Sequence, residues 1–73
     1  MTTITLKMID TAEGEVLVER MFESGITNDL VEMESTLIRI LSMQWQDVTH
    51  EPFAVISDRV IAEIDAGNIA FTS

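Results

Sequence analysis

The spacing of apolar residues between Leu30 and Trp45 restricts this chain more than any other feature. Leu30, Met33, Leu37, Leu41 and Trp45 recur at intervals of three and four, the period that places side chains on one face of an α-helix. Val31 and Ile38 widen the stripe on one flank and Ile40 on the other. The apolar arc then covers roughly half the circumference, more than the ~100° that a single core surface requires. Such a helix needs cover from two directions: a sheet, and either a second helix or a partner subunit. Thr27 or Asn28 is placed to cap its start, and Asp29 and Glu32 fall in its first turns, where the macrodipole favours carboxylates. The pattern ends near Gln46.

Upstream of Ser24-Gly25-Ile26, the period is two. From Thr3 to Ile9, Ile4, Leu6 and Met8 alternate with Thr3, Thr5 and Lys7, which predicts a half-buried strand. The turn formers Asp10 to Glu15 follow, with Gly14 free to take positive φ. Val16 to Phe22 is the second strand, with Val16, Val18 and Phe22 on one face, interrupted by Arg20, and Leu17 and Met21 on the other. An antiparallel hairpin joins the two. Apolar residues on both of its faces predict cover on more than one side.

Downstream, Asp47 to Glu51 is expected to connect to a second helix from about Pro52 to Ala66. Phe53, Ile56, Val60, Ile61 and Ile64 share its face, proline suits its first turn and Gly67 its C′ position. The competing assignment makes Phe53 to Ile56 a buried strand and lets Ser57 cap a shorter helix. Ile69-Ala70-Phe71 is suited to a short terminal strand added to the hairpin. The expected fold class is α+β, an N-terminal antiparallel β-hairpin packed against two helices (ββαα) with that short C-terminal strand, all in one domain.

A chain of 73 residues buries only about 60% of the surface its unfolded form exposes, so its core is marginal and self-association is a fair expectation. At 47% apolar and 5% aromatic residues the core must be aliphatic, with five methionines as adaptable filler. Cysteine is absent, which excludes disulfides and thiolate metal sites and fits a reducing compartment. The first residues lack the basic and apolar regions of a secretory leader, and no apolar run is long enough to span a bilayer. A cytoplasmic location is the expectation.

Charge narrows the partners. Thirteen acidic residues face four basic ones, Lys7, Arg20, Arg39 and Arg59, for a formal net charge of −9. A field of that sign repels nucleic acid and anionic membrane and attracts basic protein surfaces. The plainer reading, that acidity keeps a small apolar protein in solution, competes with it.

Reactive chemistry finds little support. Ser24, Ser35, Ser42 and Ser57 lack a nucleophile context, and the sole histidine, His50, stands beside Glu51 in a connection. One histidine without cysteine does not make an ordinary zinc site. The acidic loop Asp10 to Glu15 has Ala12 and Gly14 where a calcium loop needs ligands, so a solvated hairpin turn explains it better. No phosphate-cradling glycine motif occurs. The expectation is a protein without catalytic residues, cofactor or metal.

Interaction signals remain. Asp10, Glu13, Glu15, Glu19 and Glu23 cluster through the turn and second strand, and strand parity would align Glu15, Glu19 and Glu23 with Leu17 and Met21 as a mixed acidic and apolar strip. These five acids are the candidate contacts to a protein partner with a basic surface, with no direct nucleic-acid or membrane binding. The alternative is an assembly subunit whose surplus helix surface, Val31, Ile38, Ile40, Met43 and Trp45, makes a homodimer or a fixed contact in a larger complex. Glu34 falls inside the apolar arc and would be costly if buried alone, which calls for an edge position, a partner, or pairing with Arg39 or Arg59. No motif carries a family resemblance. In size, acidity and lack of cysteine the chain resembles small accessory proteins of phages and mobile elements, a likeness that implies an inhibitor or modulator of a host macromolecule.

Overall fold

The computed structural model describes residues 3–23 and 29–73. Strand β1 (Thr3–Asp10) and strand β2 (Val16–Glu23) form the expected antiparallel hairpin, followed by helix α1 (Leu30–Thr49), helix α2 (Phe53–Asp65) and strand β3 (Ile69–Thr72). The sheet order is β2-β1-β3, with β3 antiparallel to β1. This is an α+β fold in which α1 packs on both hairpin strands and α2 on α1 and β3.

Alternation decides which face of the sheet is covered. Leu6 and Met8 are buried, and the residues opposite or beside them, Val18, Phe22, Ile69 and Phe71, are buried or packed on the core. Met33, Leu37 and Leu41 of α1 and Ile56 and Val60 of α2 close the core from the other side. The second sheet face, with Thr3, Glu19, Met21, Glu23 and Thr72, is exposed. The expected cover on more than one side of the hairpin is therefore absent among the described residues.

A β-bulge explains one of the two apolar residues that seemed to need that cover, Leu17. Met8 pairs with Val18 and Ile9 with Val16, which leaves Leu17 as the extra residue. Two residues opposing one break the period of two, so Leu17 packs against the core together with Val18. Val16, on the other side of the bulge, is opposite Ile9 and 48% exposed.

The helix ends correct the expected boundaries. Asp29 is the N-cap of α1 rather than a first-turn residue, with extended backbone and a side chain that accepts a 2.9 Å hydrogen bond from the Val31 N–H. The expected caps Thr27 and Asn28, like the break at Ser24 to Ile26, lie outside the described residues. α1 also runs past Gln46 to Thr49, and His50 ends it in the left-handed region at φ 59°, its N–H donating to the Gln46 carbonyl. Apolar periodicity fades after Trp45 because the last turn extends into solvent, where Val48 is 79% exposed. Backbone hydrogen bonding continues without it.

Residues Phe53 to Ile56 are helical, not a strand, and Pro52 takes the N-cap position. At the other end of α2, Gly67 has φ 83°, its N–H reaches the Ile64 carbonyl, and the Asn68 N–H reaches that of Glu63. That pair of bonds is the Schellman arrangement. The connection between the helices is held by its own polar contacts. Gln46 Nε2 donates to the Glu51 carbonyl, and the Arg59 guanidinium donates to both Glu51 carboxylate oxygens at 2.9 and 2.8 Å.

Candidate functional site

The five hairpin acids do not form a single strip. Glu19 and Glu23 share the uncovered sheet face with Met21, which is 68% exposed. Lys7 stands opposite Glu19, with a 3.8 Å approach between them. Glu13 and Glu15 are exposed in the turn, beyond the bulge, so the parity that would align Glu15 with Glu19 does not carry through. Leu17 is likewise lost to the strip, because the bulge turns it toward the core. What remains is one exposed acidic and apolar sheet face and one acidic turn at its end.

Asp10 goes elsewhere. It is half-buried at the end of β1, and its Oδ1 accepts the Ala12 N–H at 2.9 Å. Gly14, with φ 70°, donates to the Asp10 carbonyl and closes the turn. Thr11 ties this turn to the one after α2, donating from its N–H to the Asn68 carbonyl at 3.1 Å and from its hydroxyl to the Gly67 carbonyl at 2.7 Å.

That clamp brings together residues far apart in sequence. A notch of about 200 Å³ is walled by Asp10, Leu17, Trp45, Glu63, Asn68 and Ile69. The Asn68 side-chain amide donates to Glu63 Oε2 at 3.2 Å, which fixes the orientation of that carboxylate. The notch joins Asp10, expected as a partner contact, to Trp45, expected at an oligomer interface. Glu63 and Asn68 were not singled out by sequence. The only available signals were the Gly67 helix stop and Ile69, which together predict that residue 68 turns back beside β1.

The proposed oligomer surface is also divided. Ile38, Ile40 and Trp45 pack against the chain's own core. Val31 and Met43 are 67% and 55% exposed, but at 100° per residue they lie about 120° apart around α1. They do not form one patch. Glu34 is half-buried, and the ion pairs among the described residues, Lys7–Glu19 and Arg59–Glu51, do not include it. Its position at the edge of the buried arc answers the desolvation problem.

A larger groove of about 280 Å³ runs between Phe22 and the first half of α1, with Val31, Met33 and Arg39 in its wall. The Arg20 guanidinium lies 5.9 Å from the centre of the Phe22 ring. Ser42 is fully buried and satisfied, its hydroxyl donating to the Ile38 carbonyl. His50 is exposed and serves as a helix stop. Among the described residues, no three histidine or carboxylate side chains are grouped to hold a metal ion, and no helix is long and apolar enough to cross a membrane.

The fold and its surfaces thus define a small α+β domain with one uncovered sheet face and an acidic notch beside it. No family model, curated protein or solved structure matches the chain.

Proposed function

We propose that this protein is a non-enzymatic binding module that inhibits or modulates a partner macromolecule by occluding a basic protein surface. The observation that carries the reading is the exposure of Glu13, Glu15, Glu19 and Glu23 along the turn and the uncovered sheet face, where Lys7 stands opposite Glu19. Carboxylates arranged in this way raise the encounter rate with a positive surface. The exposed side chains of Met21 and Val16 then supply apolar contact once water is displaced. Nucleic acid and anionic membrane are repelled by the same field.

The test replaces Glu13, Glu15, Glu19 and Glu23 with lysine and compares the proteins retained by wild type and variant, with circular dichroism checking that the fold persists. If the variant does not fold, the four glutamine replacements take its place. Loss of the wild-type partner supports the reading; unchanged retention overturns it. A second reading, an assembly subunit, would use the exposed Val31 and Met43 as two separate contacts on different sides of α1. It predicts a mass by light scattering that rises with concentration and falls when both are changed to serine.

A further inference from the structure

We propose that the notch between β1, the bulge, α1 and the turn after α2 is a receptor for a single arginine side chain presented by a basic protein partner. The inference rests on the acidic-module reading and names the group such a partner would insert.

Size is the first argument. At about 200 Å³ the notch is below the range of roughly 300–1,000 Å³ typical of small-molecule sites. One long side chain fills it. Its lining residues divide by chemistry, Trp45, Leu17 and Ile69 being apolar and Asp10, Glu63 and Asn68 polar. An aromatic ring attracts a cation over its face, and a carboxylate accepts a guanidinium through two parallel hydrogen bonds. Arginine satisfies both at once because its head is planar, delocalised and weakly hydrated, whereas the lysine ammonium is compact and strongly hydrated.

Among the described residues, the chain's own cations lie elsewhere. Lys7 is engaged by Glu19 and Arg59 by Glu51; Arg20 lies over Phe22, and Arg39 lines the other groove. Among the described residues, Asp10 and Glu63 therefore line the notch with no basic residue beside them. They are also preorganised. Asp10 is oriented by the Ala12 N–H and Glu63 by Asn68, while Thr11 clamps the two turns that carry them. A ligand entering such a site loses less free energy to ordering its receptor.

Trp45 is the only tryptophan and tyrosine is absent, so intrinsic fluorescence reports on the notch directly. The experiment titrates the wild-type chain with an acetylated, amidated arginine hexapeptide and with the lysine hexapeptide of equal charge. The expected result is a saturable change in Trp45 emission with the arginine peptide and affinity about tenfold above that for lysine. Glu63→Gln and Asp10→Asn keep the acceptors used by Asn68 and Ala12, and each should weaken arginine binding about tenfold. Asp58→Asn, an exposed acid on α2 outside the notch, controls for net charge and should leave affinity within about twofold.

Equal affinity for the two peptides, or equal losses for Asp58→Asn and Glu63→Gln, overturns the proposal. Arginine binding that is abolished by reversing Glu13, Glu15, Glu19 and Glu23 but is indifferent to Glu63→Gln would overturn the notch and leave the acidic-module reading standing. Failure of both peptides to bind the wild-type chain would count against both.

Discussion

Truncating Leu37 to alanine should remove a large part of the folding free energy, and truncating Val31 on the same helix should not. Leu37 is completely buried in the middle of α1, whereas Val31 is 67% exposed. Returning a buried leucine side chain to water loses about 2 kcal/mol of transfer free energy. The cavity left behind adds to this, which brings the expected loss to about 3 kcal/mol, inside the 2–5 kcal/mol seen for such changes. A domain of this length has a stability of about 4–11 kcal/mol at ordinary values per residue, so the variant keeps between about a quarter and three quarters of it. With a urea dependence of about 1 kcal/mol per M for so small a domain, the midpoint should fall by about 3 M. Val31→Ala should stay within about 0.5 kcal/mol of wild type. Urea titrations followed by circular dichroism and by Trp45 emission measure both variants and check that unfolding is a single transition. Equal losses at the two positions would refute the assignment of the buried face of α1.

Three further outcomes are expected. Asp29→Ala removes the side-chain acceptor of the Val31 N–H and should cost about 1 kcal/mol in the same titration, whereas an unchanged midpoint would place the helix start elsewhere. His50→Gly relieves a left-handed backbone and should raise stability by roughly 0.5–1 kcal/mol, with His50→Val lowering it; the reverse order in thermal melts would contradict the observed helix stop. The Arg59 hydrogen bond beside Glu51, with its charge acting in the same direction, holds that carboxyl below its ordinary value of 4.5. The ionised form is thus favoured by folding, and its contribution is present above the unfolded value and lost as pH falls through the lower folded value. The small difference in melting temperature between wild type and Glu51→Gln should be flat near neutrality and shrink below about pH 4.5; a difference that grows on acidification would reverse the sign.

Elements that bury one face were readable from sequence, because burial imposes a period on apolar residues. β1 and the middle of α1 show this most clearly, since Leu6, Met8, Leu37 and Leu41 all occupy the core. The second helix and β3 were legible through punctuation, with Pro52 and Gly67 standing where chain geometry needs them. What escaped was everything set by backbone hydrogen bonding without a side-chain period. The bulge at Leu17 leaves no mark in the alternation except an apparently misplaced apolar residue. The last turn of α1 is largely polar, and its stop is a histidine rather than glycine.

The notch escaped for a different reason. Its walls come from β1, β2, α1, α2, the turn before β3 and the first residue of β3, so no local pattern groups Asp10 with Trp45 and Glu63. The division of the expected oligomer surface has the same origin. Ile38, Ile40 and Trp45 looked surplus to one sheet, yet they pack on a core that is completed by α2 and β3. Helical periodicity identifies how wide a face must be covered, but not which element of the same chain covers it.

The salt dependence of partner capture addresses the functional claim most directly. The screening length contracts from about 10 Å at 0.1 M ionic strength to about 3 Å at 1 M. Partners held through Glu13, Glu15, Glu19 and Glu23 should therefore elute from the immobilised wild-type chain as salt rises across that range, and should not be retained by the lysine-substituted chain at any salt. A specific partner that stays bound at 1 M salt and binds the substituted chain equally well would show that contact is made through apolar surface instead.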